Sequence, residues 1–283
     1  MRRCCVFVIA LAALGQEPEP AIRAEVNLVP ITFSATDGKG APIPDLRRSE
    51  LKITDDQRPR EITFFGQESD LPLTVGLVVD MSGSQARFYE RHREDMRKFV
   101  ESVLKPGDRA FLMSFGDKNQ IRLVTDLTGS AEELSRGVAS LDRCGRGSRN
   151  PFACRSPIWS AVFTAARSKM KSVTGRKALL LLSDGKDTGG PDTLTDAIEA
   201  AQDADAPVYA MVFNPFGGRV ALLAGVVAPV GLLGSKLAEA RMRRLAEETG
   251  GRYYDASKKD TAAGIFAQIE EDLRHLYVVG FCP

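Results

Sequence analysis

The 283-residue sequence lacks the features that mark several classes of protein. It has only two histidines, His92 and His275, and no His-Glu-x-x-His pattern, which argues against a catalytic zinc site. Its 38 basic side chains nearly balance its 37 acidic ones, so the net charge gives no reason to expect nucleic acid or an anionic membrane as a partner. No apolar stretch is long enough for a transmembrane helix. Hydrophobic residues make up 43% of the chain, which is enough for a full globular core.

The first 20 residues have the pattern of an export signal. Arg2 and Arg3 supply a positive start, the apolar run 4–14 follows, and a Gly-Gln-Glu-Pro sequence at 15–18 ends it. A run of this length suits a secretory signal peptide and is too short to cross a bilayer. We therefore expect residues 1–20 to be a signal peptide and the protein to be exported, whether periplasmic, on the cell surface or secreted. A frayed N-terminal helix is the alternative.

Five cysteines are present, and two of them lie in the expected signal peptide. Cys144 and Cys154 close a short loop, for which a disulfide is the first interpretation in an exported protein and two unpaired thiols are the alternative. Cys282 has no evident partner. The loop 143–155 also carries four arginines. It forms either a basic rim that favours acidic ligands or a solvated insertion pinned by the cysteines.

The chain divides into two parts with different patterns. Residues 21–70 predict a small β unit, with strands expected within 26–35, 51–53 and 61–65. From residue 71 onward, short apolar strands alternate with helices, so we expect a second and larger domain over residues 71–283.

The larger domain is predicted to have a doubly wound α/β fold. Strands are expected at 73–79, 109–115, 121–125, 177–182, 207–213 and 252–255, and a last strand at 275–281 completes the pattern. Helices are expected at 86–104, 131–141, 157–171, 193–204, 236–249 and 260–273. The link between 115 and 121 is so short that strand 121–125 must pair antiparallel, as an edge strand. The prediction is a mostly parallel six-stranded sheet with one antiparallel edge strand, preceded by the small β unit.

One segment does not fit this alternation. Residues 220–233 are rich in Ala, Val, Gly and Leu and fall between an expected strand and an expected helix. They form either a loop that covers the core or an exposed apolar patch that docks a partner.

Polar side chains follow the first and fourth strands of the larger domain. The run 80–84 is Asp-Met-Ser-Gly-Ser, and the run 183–185 is Ser-Asp-Gly. In a doubly wound sheet of the common order these two strands are neighbours, and their carboxyl ends face a crevice where ligands bind. We therefore expect the two loops to meet and to offer the oxygen ligands that Mg²⁺, Mn²⁺ or Ca²⁺ prefer. Asp187 and Asp192 lie nearby and are expected to be solvated loop carboxylates.

The pattern Asp80-x-Ser82-x-Ser84 after an apolar strand, paired with the run 183–185, resembles the metal-ion-dependent adhesion site of the von Willebrand factor A superfamily. The resemblance covers about residues 71–281 and, with the small β unit, extends to a bacterial exported subgroup. Members of the superfamily usually add a threonine from a loop before a helix. Here Ser156 stands at that place and keeps the hydroxyl, while Gln85 stands where a methionine is common.

The resemblance implies a function as well as a fold. It implies that a divalent cation, Mg²⁺ first with Mn²⁺ or Ca²⁺ as alternatives, is bound by Asp80, Ser82, Ser84, Ser156 and Asp184. It further implies that an acidic side chain of a protein partner fills the open coordination position, so that the protein is a binding module and not an enzyme. A metal-independent structural or assembly module is one alternative, and a metal-dependent hydrolase is another. The sequence has no Gly-x-Ser-x-Gly elbow, no phosphate-binding loop and no second aspartate at position 82, which weighs against the hydrolase.

Overall fold

A computed structural model describes residues 28–38, 43–67, 71–117, 120–142, 144, 154–213, 228–256 and 262–283. The expected signal peptide (1–20), Arg143, Arg146, Arg149 and residues 220–227 of the apolar segment lie outside these ranges. Residues 228–233, the rest of that segment, form the start of a helix. Among the described residues, no helix combines the length and the apolarity that a bilayer span requires.

The described chain contains eleven strands and six α-helices. In chain order the strands are β1 (Val29–Ser34), β2 (Ile53–Asp55), β3 (Arg58–Arg60), β4 (Ile62–Gln67), β5 (Leu73–Asp80), β6 (Arg109–Asp117), β7 (Gln120–Thr128), β8 (Arg176–Ser183), β9 (Val208–Val212), β10 (Tyr253–Asp255) and β11 (Leu276–Phe281). The helices are α1 (Tyr89–Val103), α2 (Ala131–Ser140), α3 (Ile158–Ala165), α4 (Leu194–Asp203), α5 (Ala228–Glu248) and α6 (Ala262–Arg274). A 3₁₀ turn, Gly83–Phe88, precedes α1, and a π-helical turn, Ala166–Met170, extends α3.

Six of the strands form the larger sheet, in the order β10-β9-β8-β5-β6-β7. All neighbours are parallel except β7, which runs antiparallel to β6 at the edge. The predicted mostly parallel six-stranded sheet with one antiparallel edge strand is therefore confirmed. Its first and fourth strands along the chain, β5 and β8, are neighbours, as the prediction required.

Helices cover both faces of this sheet because its central strands are apolar on both sides. Every residue of β5 is buried. Val75, Leu77 and Val79 lie in one core cluster with side chains of α1, α2 and α6, and Val78 lies in a second cluster with side chains of α3, α4 and α5. A strand enclosed in this way reads as a continuous apolar run, which is why the sequence indicates it clearly.

The last strand departs from the predicted pattern. β11 does not join the larger sheet; it is the central strand of a second sheet with the order β1-β11-β4, in which both pairings are antiparallel. The Tyr277 ring stacks between Phe33 of β1 and Phe65 of β4, with centroid distances of 5.7 Å to each. The small β unit is thus completed by residues from the other end of the chain, and β2 and β3 form a separate hairpin beside it.

Candidate metal centre

The buried carboxylate of Asp80 joins three loops. The parallel register places the ends of β5 and β8 at the same edge of the sheet. Asp80 Oδ2 accepts hydrogen bonds from Ser183 Oγ (2.6 Å) and Ser156 Oγ (2.8 Å), and Oδ1 accepts one from the Ser82 N–H (2.9 Å). The expected meeting of the loops after β5 and β8 therefore occurs, and the loop before α3 meets them at the same carboxylate.

The two serines after β5 stand together at this point. The hydroxyls of Ser82 and Ser84 are 3.1 Å apart, with Ser82 buried and Ser84 exposed. Tyr89 of α1 holds this loop in place, because its hydroxyl proton is shared between the carbonyl oxygens of Met81 (2.5 Å) and Ser82 (2.7 Å). The pair of hydroxyls thus leads from the buried Asp80 toward solvent.

Thr188, in the loop after β8, holds the backbone of Ser156. Its N–H donates to Thr188 Oγ1 (2.6 Å), and its carbonyl accepts from the Thr188 N–H (3.0 Å). Asp187 Oδ1 accepts from the Ile158 N–H (2.8 Å) at the start of α3. Asp187 is therefore a half-buried helix cap and not the solvated carboxylate that the sequence suggested. Burial raises the pKa of Asp187, although N–H donors including that of Ile158 oppose the rise.

Asp184 supplies a second carboxylate to the site, and only one of its two oxygens accepts a hydrogen bond from the described residues. Asp184 is 4% exposed, and its Oδ1 accepts from the Lys186 N–H (3.1 Å). Its Oδ2 is buried and has no hydrogen-bond partner among the described residues. Burial and the charge of Asp184 raise the pKa of Asp80 to about 6, against the hydrogen bonds from Ser183 and Ser82. Two buried carboxylates and an unsatisfied acceptor create a demand for positive charge.

The donor set fits a hard divalent cation. All the candidate ligands are oxygens, from carboxylates and hydroxyls, which suit Mg²⁺, Mn²⁺ or Ca²⁺ and not a soft metal. Within the described ranges, no group of three or more His, Cys, Asp or Glu side chains comes together. If a cation binds here, hydroxyls would have to supply part of its coordination. Asp80, Ser82, Ser84, Ser156 and Asp184 are the residues that would hold the ion.

Two residues of the site were missed in the sequence. Ser183 was predicted as part of the Ser-Asp-Gly loop after β8 but was given no role of its own, yet its hydroxyl makes the shortest of the three hydrogen bonds to Asp80. Gly116, near the end of β6, has a φ of +83°, and a Cβ there would lie 2.7 Å from the Ser82 nitrogen and 3.1 Å from Asp80 Oδ1. The available signal for Gly116 was a glycine directly after the last apolar residue of a strand that neighbours β5.

A disulfide fastens the loop before α3 to the site. Cys144 and Cys154 are bonded to each other, in agreement with the first interpretation of the sequence, while Cys282 is exposed and free. The Cys144 N–H donates to the Met81 carbonyl (3.0 Å), and Cys154 stands two residues before Ser156. The bridge thus ties the Asp80–Ser84 loop to the Ser156 loop.

Comparison with known proteins gives matches in structure only. No protein-family model matches the sequence, and no curated protein matches it. The vWF domain of the type V pili tip protein Mfa5 from Porphyromonas gingivalis matches with a TM-score of 0.50 and 14% identity, over 71% of this chain and 94% of that one. The pilus adhesin SpaC from Lactobacillus rhamnosus GG matches with a TM-score of 0.51 and 14% identity, over 79% of this chain and 35% of that one. Proximal thread matrix protein 1 from the mussel byssus matches with a TM-score of 0.53 and 12% identity, over 77% and 49%.

Identities this low show a shared fold and nothing narrower. The resemblance stated from the sequence is thereby confirmed at the level of the fold: this chain has the fold of the von Willebrand factor A superfamily.

Proposed function

We propose that this chain is an exported protein-binding module that grips an acidic group of its partner through a divalent cation, Mg²⁺ first. Asp80, Ser82, Ser84, Ser156 and Asp184 would hold the cation. The observation that carries the proposal is Oδ2 of Asp184, which is buried beside Asp80 and has no hydrogen-bond partner in the described part of the chain. A cation would satisfy that oxygen and neutralise the two carboxylates together.

The protein's own residues have distinct parts in this function. Asp80 anchors the site, since its hydrogen bonds to Ser156, Ser183 and the Ser82 N–H hold three loops in place. Ser84 is exposed and so stands on the side from which a partner approaches. The cation, when bound, supplies a charge and an open coordination position for a partner carboxylate.

The environment of Asp80 supports binding over hydrolysis. In a hydrolase of the haloacid type, the aspartate after the first strand attacks the substrate. Here that carboxylate is fully buried and accepts three hydrogen bonds, both of which weaken it as a nucleophile. A hydrolase of this type also needs a second aspartate two residues after the first, and here Ser82 stands at that position.

The structural neighbours supply supporting context. Mfa5 is the tip protein of a pilus and SpaC is a pilus adhesin, so the same fold carries surface proteins in both cases. A protein partner and export both fit that context and the export pattern of residues 1–20.

Metal titration by calorimetry tests the proposal. Chelator-treated protein is titrated with Mg²⁺, Mn²⁺ and Ca²⁺, beside the variants Asp184→Asn and Asp192→Asn. Both substitutions remove one negative charge from the segment after β8, but only the first removes a proposed ligand. We expect one-site binding in the parent and in Asp192→Asn, and at least a tenfold weaker affinity in Asp184→Asn. No binding by the parent, or equal binding by all three proteins, would remove the metal from the proposal and favour a metal-independent assembly module.

A further inference from the structure

A cavity of about 760 Å³ lies in the small β unit, and no proposed metal ligand is among the residues that line it. It is formed by the hairpin β2–β3, by a 3₁₀ turn over Arg48–Glu50 and by the start of β4. Its apolar wall consists of Leu51, Ile53, Pro59 and Ile62. The volume lies in the range of ~300–1,000 Å³ that is usual for ligand pockets, so the cavity has room for a segment of another chain.

The charged residues around this cavity are separated by sign. Residues 45–61 carry five basic and five acidic side chains, so this segment is neutral as a whole. Four of the five basic side chains line the cavity, namely Arg47, Arg48, Lys52 and Arg60. The five acidic residues, all within the described range 43–67, do not line it; they are Asp45, Glu50, Asp55, Asp56 and Glu61. A neutral segment is thus folded so that positive charge faces the cavity, which favours an anionic ligand.

Two of the four basic side chains already have partners and serve as fixed walls. Arg60 donates to Asp55 Oδ2 from Nε (3.2 Å) and from Nη2 (2.9 Å). Nη2 of Arg48 donates to the Ile62 carbonyl and lies 3.8 Å from Glu61 Oε1. The charges of these two arginines are therefore offset by neighbouring carboxylates, and binding of a ligand does not require either of them.

Arg47 and Lys52 supply the two remaining positive charges. Both are exposed, and neither forms an ion pair with a residue that the structure describes. The neighbouring carboxylate of Glu50 accepts instead from the backbone N–H of Arg47 (2.8 Å). Both side chains can therefore pair with carboxylates of a ligand without breaking an existing ion pair, and such charged hydrogen bonds are stronger than neutral ones.

Local structure fixes the backbone on both sides of the cavity. Asp56 and Gln57, between β2 and β3, have φ values of +47° and +63°, which are the left-handed conformations that a tight two-residue hairpin turn requires. Opposite the hairpin, Glu50 holds the 3₁₀ turn through its hydrogen bond with the Arg47 N–H. The protein therefore loses little conformational freedom when a ligand binds here.

We infer that this cavity binds an acidic segment of a protein partner, in which an aliphatic side chain lies between two carboxylates. The carboxylates pair with Arg47 and Lys52. The aliphatic side chain packs on Leu51, Ile53 and Pro59. A flat anionic surface such as a membrane fits less well, because it would also meet the exposed carboxylates that lie outside the cavity. The inference goes beyond the proposed function and does not rest on it, since no metal takes part.

Short capped peptides test this with the full chain, in the presence of EDTA so that no divalent cation takes part. The first peptide is Gly-Gly-Glu-Leu-Glu-Gly-Gly; Gln replaces both Glu in the second, and Gly replaces Leu in the third. Chemical shifts of the ¹⁵N-labelled protein give the affinities and show which amides respond. We expect the first peptide to bind at least tenfold more tightly than either of the others, because it alone offers both the carboxylates and the apolar side chain. The largest shifts should fall within residues 47–62.

Two double variants assign the binding to the cavity. In Arg47→Gln with Lys52→Gln, the affinity for the first peptide should fall at least tenfold. Arg58→Gln with Arg109→Gln also removes two exposed positive charges, but neither side chain lines the cavity. The affinity of this control should stay within about twofold of the parent, since salt screens charges outside the site. All four side chains are exposed, so both variants should keep the fold, and the spectrum of each variant checks this.

Several results would overturn the inference. If the first peptide does not bind, or binds no better than the second or the third, the cavity does not select an acidic segment with an aliphatic side chain. If its affinity survives Arg47→Gln with Lys52→Gln, or binding needs Mg²⁺, the segment binds elsewhere. If phosphatidylserine vesicles bind the parent but not that variant while the peptides bind neither, the cavity faces a membrane. All these results leave the proposed function standing, and failure of the metal titration leaves this inference standing.

Discussion

Gly116 lets β6 lie close to Asp80 and Ser82 of the site. Its φ of +83° is costly for any residue with a side chain, and a Cβ would press on both Ser82 and Asp80. In Gly116→Ala we expect the free energy of unfolding to fall by about 1–3 kcal/mol from backbone strain, with a further loss from the clash. We also expect Mg²⁺ affinity to fall at least tenfold. Urea denaturation and calorimetry measure the two effects.

Gly107→Ala is the matched control for that substitution. Gly107 has a similar φ of +94°, but nothing lies within 4 Å of the position of its Cβ. It should lose only the backbone contribution and bind Mg²⁺ as the parent does. Equal losses of stability and affinity in both variants would contradict the role given to Gly116.

Asp108 is another buried carboxylate, remote from the site, and it ties together elements of the larger domain. It accepts hydrogen bonds from the Leu73 N–H (2.8 Å), the Lys105 N–H (3.0 Å) and the Arg274 guanidinium (2.8 Å). Burial alone would raise the pKa of Asp108, but these hydrogen bonds outweigh burial and lower it. For Asp108→Asn we expect the free energy of unfolding to fall by about 2–4 kcal/mol at neutral pH.

The pH dependence of that loss follows from the direction of the shift. A pKa that is lower in the folded state stabilises the protein above the unfolded value of about 4 and ceases to do so as pH falls through the folded value. The difference between parent and Asp108→Asn, measured by urea denaturation, should therefore be full at pH 7 and smaller at pH 3. Asp126→Asn is the control, because the pKa of that carboxylate is also lowered, by Lys169, but at an exposed position where little stability is at stake. A constant difference across this pH range would show that the Asp108 charge is not what stabilises the fold.

The sequence could identify part of the site because two of its loops follow unmistakable strands. Asp80 and Asp184 come directly after apolar runs that are buried on both faces, and strand adjacency then brings them together. The roles of Gly116 and Ser183 could not be found in this way, because they depend on how closely β6 approaches β5 and on the direction of one hydroxyl. Neither property leaves a spacing pattern in the sequence.

At the scale of elements, the disulfide joins two loops that the sheet alone does not connect. For the double substitution Cys144→Ser and Cys154→Ser we expect the free energy of unfolding to fall by about 2–3 kcal/mol, from the loss of a short closed loop in the unfolded chain. Mg²⁺ affinity should fall as well, since Ser156 loses a nearby restraint. Cys282→Ser, at the exposed free cysteine, should change neither quantity. Unchanged stability and metal affinity in the double variant would remove the disulfide from the account of the site.

The placement of β11 shows where sequence patterns stop being informative. All six residues of β11 are buried, so the run reads like an inner strand of a parallel sheet. In the structure its neighbours are β1 and β4, and both pairings are antiparallel. Tyr277 fixes this arrangement, since its hydroxyl donates to the Ile43 carbonyl (2.7 Å) and accepts from the Leu46 N–H (3.2 Å). Those partners lie more than 230 residues away in sequence, beyond the reach of any local pattern.

At the scale of the whole molecule, the two sheets depend on different parts of the chain. Deleting 276–283 removes the central strand of the smaller sheet but no residue of the candidate metal centre. We expect the amides of β1 and β4 to lose their protection from hydrogen exchange while those of β5 and β8 keep it, with Mg²⁺ affinity maintained. Deleting only 282–283 is the control and should leave all four strands protected. Loss of protection in β5 and β8 would mean that the sheets unfold as one unit.

The pairing of β1 with β11 also determines how the molecule would respond to a mechanical pull. Val29, at the start of β1, lies opposite Phe281, at the end of β11. Tension applied through the chain that enters β1 and leaves β11 would therefore act at one end of the pair and break its hydrogen bonds one after another, as a zipper opens. β5 and β8 bear none of that load until the zipper has opened. A protein tethered at these two points would lengthen under modest force while its candidate metal centre stayed assembled.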